Sequence, residues 1–379
     1  MSVRVLQVIA GPFLFFAQPC SPSQPPPSGG GIFETMINTF IALSLIFFSS
    51  PFCLAGDNPD AVISGTTSAV QKTFGSQTIL TTLWTPQELL GKPEDKTGVE
   101  RGYRRWPLQE IPANIHAPLT KEFQGSLRCV TPRYSQKVIA LTFDLCESTN
   151  RKSGYDADII NYLRGHQVKA TFFAGGMWMV SHPEKILQLM ADPLFEIGNH
   201  SWSHANFRTI DSSRMQTQIL RTQVQYESFW ETLRQRTLSA GIDPSEMNKV
   251  PESLCLFRFP YGACTPLALD MLNRFGLMAI QWDVVSGDPS PNRSAQMIAD
   301  AILQKSHPGS IVICHANGRG HETSRALPIF IPRLQEMGFD FVTVSELLTH
   351  GPAVAVKECF ELVPGDNLHY DKASAGKVK

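Results

Sequence analysis

Two histidines four positions apart, His200 and His204, lie in the stretch EIGNHSWSHANF. The apolar residues before them are typical of a short strand, so the pair would stand where that strand ends. At this spacing, a tight loop or one turn of helix brings both imidazole rings to the same side, where they can bind one metal ion. Two unconnected surface histidines would show the same spacing. The metal interpretation therefore depends on what the rest of the chain supplies.

Short runs of β-branched and aromatic residues, typical of strands, recur from about Lys137 onward. They are KVIALTFDL, KATFFAGG, FEIGN, LFRFPYG, LMAIQWDVV, SIVICHA and FDFVTVSELL. The segments between them read as helices, and the longest, SSRMQTQILRTQVQYESFWETLRQRTL, has Met215, Ile219, Val224 and Phe229 at roughly helical spacing. This alternation predicts an α/β fold whose parallel sheet has right-handed crossovers and is either open or closed as a barrel.

Polar side chains follow most of these strands, always at the same end. Asp144 and Glu147 follow the first, His200 and His204 the third, Arg258 and Tyr261 the fourth, Asp283 and Asp288 the fifth, and His315 the sixth. Functional groups of α/β folds gather beyond the carboxyl ends of parallel strands. One common site is therefore predicted for these residues.

The composition fits a globular protein with a sizeable core, at 42% hydrophobic and 18% charged residues. The formal net charge of -1 gives no reason to expect binding to nucleic acid or to an anionic membrane surface. At 379 residues the chain is longer than one average domain, although a single α/β barrel can account for well over half of it.

Residues 1–55 read as a leader rather than as part of the fold. The stretch MINTFIALSLIFFSSPFCLAGD begins at Met36 and has an apolar core of roughly 8 to 12 residues followed by small residues. This pattern predicts a signal peptide and an exported protein, periplasmic or secreted, although the usual positive charge at its start is missing. The low-complexity stretch before it favours Met36 as the true start, and the apolar run is short for a membrane anchor.

Six cysteines follow this leader: Cys129, Cys146, Cys255, Cys264, Cys314 and Cys359. An oxidising compartment permits disulfides among them, although their pairing is not readable from sequence. Cys255 and Cys264 flank LFRFPYGA and could close that loop. Cys314 lies inside an apolar strand and is expected to be a small buried residue.

The motifs LTFD, HSWSH, RFPYG and IVICHAN, in this order, resemble the ordered motifs of the polysaccharide deacetylases, the carbohydrate esterase family with the NodB-type homology domain. The resemblance covers about residues 131–350, which leaves residues 56–130 as an N-terminal extension and residues 351–379 as a C-terminal tail. It implies a deformed (β/α) barrel of about seven parallel strands and a divalent metal, commonly zinc. It also implies removal of N- or O-linked acetyl groups from a polysaccharide or oligosaccharide, with association to the cell wall or envelope as a natural setting.

The resemblance also implies roles for the residues at the strand ends. A metal held by two histidines and one further ligand activates water, and Asp144 is the general base that takes the water's proton. His315 is the general acid, and the backbone N–H of Tyr261 helps to stabilise the oxyanion. Arg258 and Asp288 brace the base. Simpler roles exist for the same residues: Asp144 as a helix N-cap, Arg258 and Asp288 as a structural ion pair, and His315 as a core histidine.

The chain departs from the family pattern at the third metal ligand. Where the family usually has two consecutive aspartates, this chain has Asp144 and Leu145, and leucine cannot bind a metal. Glu147 is the favoured replacement, because it could swing in once the strand turns. Cys146 shares the side of Asp144 if the strand stays extended, and its thiolate would make a softer zinc site. Asp144 itself is a third alternative.

A second departure lies in the segment QWDVVSGDP, and it concerns the residues that brace the base. Aligned on Asp288, the family's earlier aspartate falls on Val285 and its usual tryptophan falls on Pro289. Either Asp283 takes over the bracing of Arg258, or the network is smaller than in the family.

Two further functions remain open beside the metal-dependent deacetylase. One is a metal-free carbohydrate-binding or scaffold protein on the same fold, and the other is a metal-independent hydrolase of small amides. The presence of both histidines, Asp144 and His315 favours catalysis, since a binding protein needs neither a base nor an acid beside a metal site.

Overall fold

The computed structural model describes residues 74–100 and 115–375. The predicted leader at residues 1–55, with its signal peptide and the start at Met36, lies outside the described residues. Among the described residues, no helix is both long enough and apolar enough to span a membrane.

Most strands of the described residues lie within the predicted runs, but the first two, the fourth and the last lie outside them. They are β1 (Val99–Glu100), β2 (Ser126–Val130), β3 (Lys137–Leu145), β4 (Arg151–Lys152), β5 (Ala170–Ala174), β6 (Phe195–Asn199), β7 (Leu256–Phe257), β8 (Met278–Ile280), β9 (Val284–Val285), β10 (Ile311–His315), β11 (Phe339–Val342) and β12 (Ala353–Val356). Each of the predicted runs from KVIALTFDL onward contains at least one of them.

Helices separate these strands. They are α1 (Gln77–Leu83), α2 (Pro86–Leu89), α3 (Ala157–Gly165), α4 (Gly176–Ser181), α5 (Pro183–Ala191), α6 (Ser212–Ser239), α7 (Pro266–Phe275), α8 (Ala295–Lys305), α9 (Thr323–Glu336), α10 (Val344–Leu347) and α11 (His369–Ala375), with short 3-10 helices at Pro93–Lys96, Lys121–Phe123, Pro244–Lys249 and Pro260–Gly262. Polar caps fix where several begin, since Asp211, Thr265 and Ser294 accept backbone hydrogen bonds at the first turns of α6, α7 and α8.

The main sheet is a curled, mostly parallel sheet. Its strand order is β12, β2, β8, β7, β6, β5, β3, β10, β9, and β11 also pairs with β3. All of these pairs are parallel except that of β12 with β2. Strands β8 and β9 follow each other closely in the chain, yet β8 pairs with β7 and β9 pairs with β10. The sheet must curl to bring these two parts of the strand order near each other. The predicted deformed barrel of about seven parallel strands is confirmed.

The alternation of side chains along β3 separates the two faces of the sheet. Leu141 and Phe143 pack in the core cluster that contains the helices outside the barrel, whereas Val138 and Ala140 pack in the cluster inside it. Since successive side chains of a strand point to opposite faces, Asp144 shares the inner face. The strand therefore carries its carboxylate into the barrel.

The extent of helix α6 agrees with the sequence prediction. Its buried face agrees only in part. Met215 and Ile219 are buried as expected, whereas Val224 and Phe229 are half-buried. The buried face continues instead through polar and aromatic residues, including Gln223 and Tyr226. These residues reach backbone groups rather than packing only on apolar ones, which a pattern of apolar spacing does not detect.

The segments on either side of residues 131–350 join the sheet. Strand β2 pairs in parallel with β8, and β12 pairs antiparallel with β2. A disulfide joins Cys264 to Cys359, across a sequence separation of 95 residues. The suggested closure of the RFPYG loop by Cys255 and Cys264 is therefore wrong, because Cys264 is bonded to the C-terminal segment. Cys314 is buried, as predicted.

Candidate active site

Asp144 is the last residue but one of β3, faces the inside of the barrel and is almost fully buried. Its Oδ1 accepts a hydrogen bond from Nη1 of Arg258 at 2.9 Å, and its Oδ2 lies 3.6 Å from Nε2 of His200. Burial opposes ionisation, but His200, Arg258 and His315 outweigh it and hold the pKa of Asp144 below its usual value. The carboxyl is therefore an anion at neutral pH. It does not cap the following helix, whose N-cap is Asp156.

Arg258 is fully buried directly after β7 and fixes the position of Asp144. Its other hydrogen bonds go to Oγ1 of Thr142 at 2.8 Å and to the carbonyl oxygens of Ile280 at 3.2 Å and Gln281 at 3.1 Å. The guanidinium also lies over the ring of Phe173, 4.0 Å from its centroid. This guanidinium is planar and held on several sides, so the carboxylate beside it has one preferred orientation.

His200 and His204 lie in a tight loop directly after β6. Ser201 and His204 adopt left-handed backbone conformations, with φ of 64° and 55°. The backbone N–H of His204 donates to Oγ of Ser201 at 3.1 Å, and the two imidazole centroids are 5.0 Å apart. The predicted placement of both rings on one side of a tight loop is confirmed.

Asn199, the last residue of β6, holds this histidine loop in place. Its Oδ1 accepts from the backbone N–H of Ser201 at 2.8 Å, and its Nδ2 donates to the carbonyl of Ile219 and to Oε1 of Gln223, both at 3.0 Å. Neither Asn199 nor Gln223 was predicted from the sequence as part of the site. A signal was present, since Asn199 is a polar residue that ends an otherwise apolar strand immediately before His200.

The ring of His200 is oriented by a backbone carbonyl. Its Nδ1 lies 3.0 Å from the carbonyl oxygen of Arg258. A carbonyl only accepts, so this hydrogen bond requires the proton on Nδ1 and leaves Nε2 with its lone pair. Metal-binding histidines are commonly oriented in this way by the ring nitrogen that does not bind. Burial lowers the pKa of His200 more than Asp144 raises it, which favours the neutral ring that a metal requires.

Cys146 stands beside the histidines, one residue beyond the end of β3. Its Sγ lies 3.4 Å from Nε2 of His200. The ligand atoms of Cys146, His200 and His204 all lie within 4.8 Å of one another, as do those of Asp144, Cys146 and His315. The thiol is therefore common to a group with both imidazoles and to a group with the expected base and acid.

Glu147, favoured from the sequence as the third metal ligand, is directed elsewhere. Its Oε2 accepts from the backbone N–H of Ser153 at 3.1 Å, and its Oε1 accepts from Oγ of Ser181 at 2.6 Å. Among the described residues, Glu147 belongs to none of the groups whose ligand atoms lie close enough to hold an ion. Cys146 continues the side of Asp144, whereas Glu147 lies beyond the end of the strand and is held by Ser153 and Ser181.

His315 ends β10 beside Asp144 in the sheet register. Its Nδ1 lies 2.9 Å from Oδ1 of Asp288, and its backbone N–H donates to Oδ2 of the same residue at 2.7 Å. Burial lowers the pKa of His315, but the charges of Asp288 and Asp144 together with the Asp288 hydrogen bond raise it above its ordinary value. The pairing with Asp288 thus favours the protonated imidazole. Thr323 was not predicted from the sequence as part of the site. Its hydroxyl donates a hydrogen bond to Oδ2 of Asp288 at 2.7 Å.

The two aspartates after β8 do not brace Arg258. Asp288 holds His315, so the expected pairing of Asp288 with Arg258 is wrong. Asp283 accepts from the backbone N–H of Ile311 at 2.7 Å and lies 2.7 Å from Nε2 of His307. These groups lie at the start of β10, so Asp283 belongs to the opposite end of that strand from His315. Arg258 therefore pairs with Asp144, and Asp288 pairs with His315.

Tyr261 lies next to the histidine loop in the short helix Pro260–Gly262, with a φ of 60°. Its ring centroid is 4.4 Å from that of His204 and 5.0 Å from that of Tyr370 in α11. Its carbonyl accepts from Nδ2 of Asn367 at 3.1 Å. The C-terminal segment therefore supports the loop. The role of the Tyr261 backbone N–H at the oxyanion stays a prediction.

Known proteins match the region that contains this site. The family model described as polysaccharide deacetylase matches residues 131–240. A peptidoglycan-N-acetylglucosamine deacetylase of Bacillus cereus is 30% identical over 253 residues, which span 64% of this chain and 82% of that protein. The chain belongs to the polysaccharide deacetylase family.

Two further relatives of this deacetylase family are more distant. The peptidoglycan-N-acetylmuramic acid deacetylase PdaA of Bacillus subtilis is 26% identical over 215 residues, 56% of this chain and 72% of that protein. A solved structure of a peptidoglycan N-acetylglucosamine deacetylase matches 61% of this chain and 96% of its own, with 25% identity and a TM-score of 0.49.

The donor set of this family member fits a divalent metal. Two imidazoles and a thiol converge at one point, and the ring of His200 presents an unprotonated nitrogen toward the thiol. Nitrogen and sulfur donors of this kind are those that zinc prefers in proteins. Asp144 and His315, the predicted base and acid, lie beside the same thiol.

Proposed function

We propose that this polysaccharide deacetylase family member is a metal-dependent hydrolase that removes the acetyl group from N-acetylated amino sugars of a glycan, with peptidoglycan as the first candidate. The observation that carries the proposal is the convergence of Asp144 and His315 on Cys146, the same thiol that the histidine pair approaches. The two curated relatives named above supply the candidate substrate, since each is named for an acetylated peptidoglycan sugar.

The residues would divide the reaction between two proton carriers. His200, His204 and a third protein ligand would hold a divalent ion, which would supply a Lewis acid and lower the pKa of water to about 7. Asp144 takes a proton from the water as the water oxygen attacks the carbonyl carbon. Arg258 holds the carboxylate so that Oδ2 faces the site.

His315 completes the reaction at the leaving group. Asp288 holds Nδ1, so the second ring proton of the protonated imidazole is on Nε2. That proton passes to the amide nitrogen as the carbon–nitrogen bond breaks, and the products are acetate and a free amino sugar. The raised pKa of His315 and the lowered pKa of Asp144 give the two groups the protonation states that these roles require.

The candidate substrate requires export, which we propose together with the activity. The signal-like stretch from Met36 and the disulfide between Cys264 and Cys359 both support this, because disulfides persist in oxidising compartments. A fusion of residues 36–60 to a reporter that is active only after export would test it. An inactive reporter would argue that this stretch does not direct export.

The activity is tested by incubating the zinc-loaded protein with a panel of acetylated glycans and measuring released acetate. Peptidoglycan strands, chitin oligosaccharides and acetylated xylan make up the panel, and Asp144→Asn serves as the inactive control. We expect acetate from at least the peptidoglycan strands. Binding to a glycan without acetate release from any member of the panel would support the alternative of a carbohydrate-binding protein on the same fold.

A further inference from the structure

We propose that Cys146 is the third protein ligand of the metal centre, as a thiolate beside the imidazoles of His200 and His204. The inference rests on the proposed function only in that both require a metal at this place. At the position of the family's second consecutive aspartate this chain has Leu145. The Leu145 side chain is fully buried in the core cluster outside the barrel. The chain therefore needs a different donor, and the neighbouring thiol provides it.

The distance between the Cys146 thiol and the His200 ring agrees with a tetrahedral zinc site. Zinc binds thiolate sulfur at about 2.3 Å and imidazole nitrogen at about 2.0 Å, which places the two ligand atoms about 3.5 Å apart in a tetrahedron. The Sγ of Cys146 lies 3.4 Å from Nε2 of His200. That nitrogen is the unprotonated one, because Nδ1 donates to the carbonyl of Arg258. The pair is thus arranged as two ligands of one ion.

Other donors fit the third position less well. Glu147 is bound to Ser153 and Ser181 and lies outside the histidine group. Asp144 shares a group with Cys146 but not one with both imidazoles, and its Oδ1 is bound to Arg258. Within residues 74–100 and 115–375, Cys146 is the donor that comes within 4.8 Å of both histidines.

The backbone of Cys146 is fixed in the orientation that points its sulfur inward. Its carbonyl oxygen accepts a hydrogen bond from Nδ2 of Asn317 at 2.8 Å. Asn317 is buried in the loop that follows β10. Asn317 is therefore a positioning residue, which ties the end of β3 to the strand that carries His315.

Thiolate ligation changes which ions the site selects. When the ion binds, the Cys146 thiol releases one proton to solvent. The thiolate then carries the same charge as the family's aspartate carboxylate, so the net charge of the donor set is unchanged. A sulfur donor favours zinc, cobalt and cadmium over magnesium, calcium and manganese. The chain should thus prefer thiophilic ions.

X-ray absorption on the zinc-loaded protein, with no substrate present, tests the ligand directly. We expect one sulfur shell at about 2.3 Å together with nitrogen or oxygen neighbours at about 2.0 Å. Cobalt substitution should give a near-ultraviolet sulfur-to-cobalt charge-transfer band. The band should vanish in Cys146→Ala and persist in the matched control Cys314→Ala, which removes a buried thiol from the outer core cluster.

The affinity for zinc provides a second readout. Cys146→Ala should weaken zinc binding by about ten-fold or more, whereas Cys146→Asp should retain an ion without the charge-transfer band. A zinc-loaded protein with only nitrogen and oxygen neighbours would overturn the inference, as would unchanged affinity in Cys146→Ala. An acetylated Cys146 in metal-free protein would also overturn it, because the thiol would then be a nucleophile. A sulfur shell without acetate release from any glycan would uphold the ligand and reject the proposed activity.

Discussion

Two buried carboxylates, Asp144 and Glu196, lie inside the same barrel and titrate in opposite directions. Asp144 faces Arg258 and two histidines, and its pKa is lowered. Glu196 lies two positions earlier in the register, at the level of Thr171, and burial raises its pKa to about 7. Both are removed from water to a similar extent. The difference therefore comes from their partners.

The partners of Glu196 are neutral. It accepts hydrogen bonds from the hydroxyls of Thr171 and Ser345 and from the backbone N–H of Ser345. These bonds lower its pKa, but they do not offset the cost of burying the charge. The cations beside Asp144 do offset that cost. Burial alone favours the protonated carboxyl at Glu196, whereas burial beside cations favours the ionised carboxylate at Asp144.

The largest expected effect is on turnover at the Asp144 end. Asp144→Asn keeps the shape of the side chain but removes the base, so kcat should fall by about 10²- to 10⁴-fold while the metal content is unchanged. Glu196→Gln is the matched control and should keep nearly full turnover. Equal losses of kcat in the two variants would show that Asp144 and Glu196 do not differ in their contribution to turnover.

Removal of the cation should make Asp144 resemble Glu196. Arg258→Met leaves the carboxylate buried without its partner, which should lower the free energy of unfolding by roughly 3 to 5 kcal/mol in urea denaturation. Arg234→Met removes an exposed partner of Glu231 on α6 and should leave the unfolding curve almost unchanged. A stable Arg258→Met protein would show that this ion pair does not hold Asp144 in place.

The pH dependence of stability should reveal Glu196. Its folded pKa of about 7 exceeds the ordinary 4.5, so the folded protein retains a proton that the unfolded chain releases. Stability from this group is full below about pH 4.5 and is lost as the pH rises to about 7, by roughly 3 kcal/mol. In Glu196→Gln this part of the loss should disappear from the unfolding free energies measured across that range. An identical pH profile in both proteins would mean that Glu196 does not hold the proton.

The smallest expected effect is a shift in the pH profile of turnover. Asp288 raises the pKa of His315, so Asp288→Asn should lower it and move the alkaline limb of kcat to lower pH. The acidic limb, which reports Asp144, should stay in place. A shift of the acidic limb alone would assign the proton-donating role to another group.

The barrel was predictable from the sequence because most of its parallel strands are short apolar runs, and polar residues follow most of these runs. The histidine pair and the inward side of Asp144 followed from spacing and strand parity. The same parity placed Cys146 beside Asp144, but the choice between Cys146 and Glu147 depended on where the chain leaves the strand after Leu145. Beyond that point Glu147 contacts Ser153 and Ser181, and sequence spacing does not show these contacts.

Contacts distant in sequence account for the other differences. Asp283 and Asp288 are five residues apart, yet they serve opposite ends of β10 because β9 lies between them. The disulfide spans 95 residues, so neither its pairing nor the support that the C-terminal segment gives to Tyr261 was visible in local patterns.

Acetate release from peptidoglycan strands should be measured before and after removal of the metal. We expect that a chelator abolishes acetate release, that added zinc restores it, and that Asp144→Asn with zinc bound stays inactive. Acetate release that continues in fully metal-depleted protein, or full activity in Asp144→Asn, would contradict these expectations.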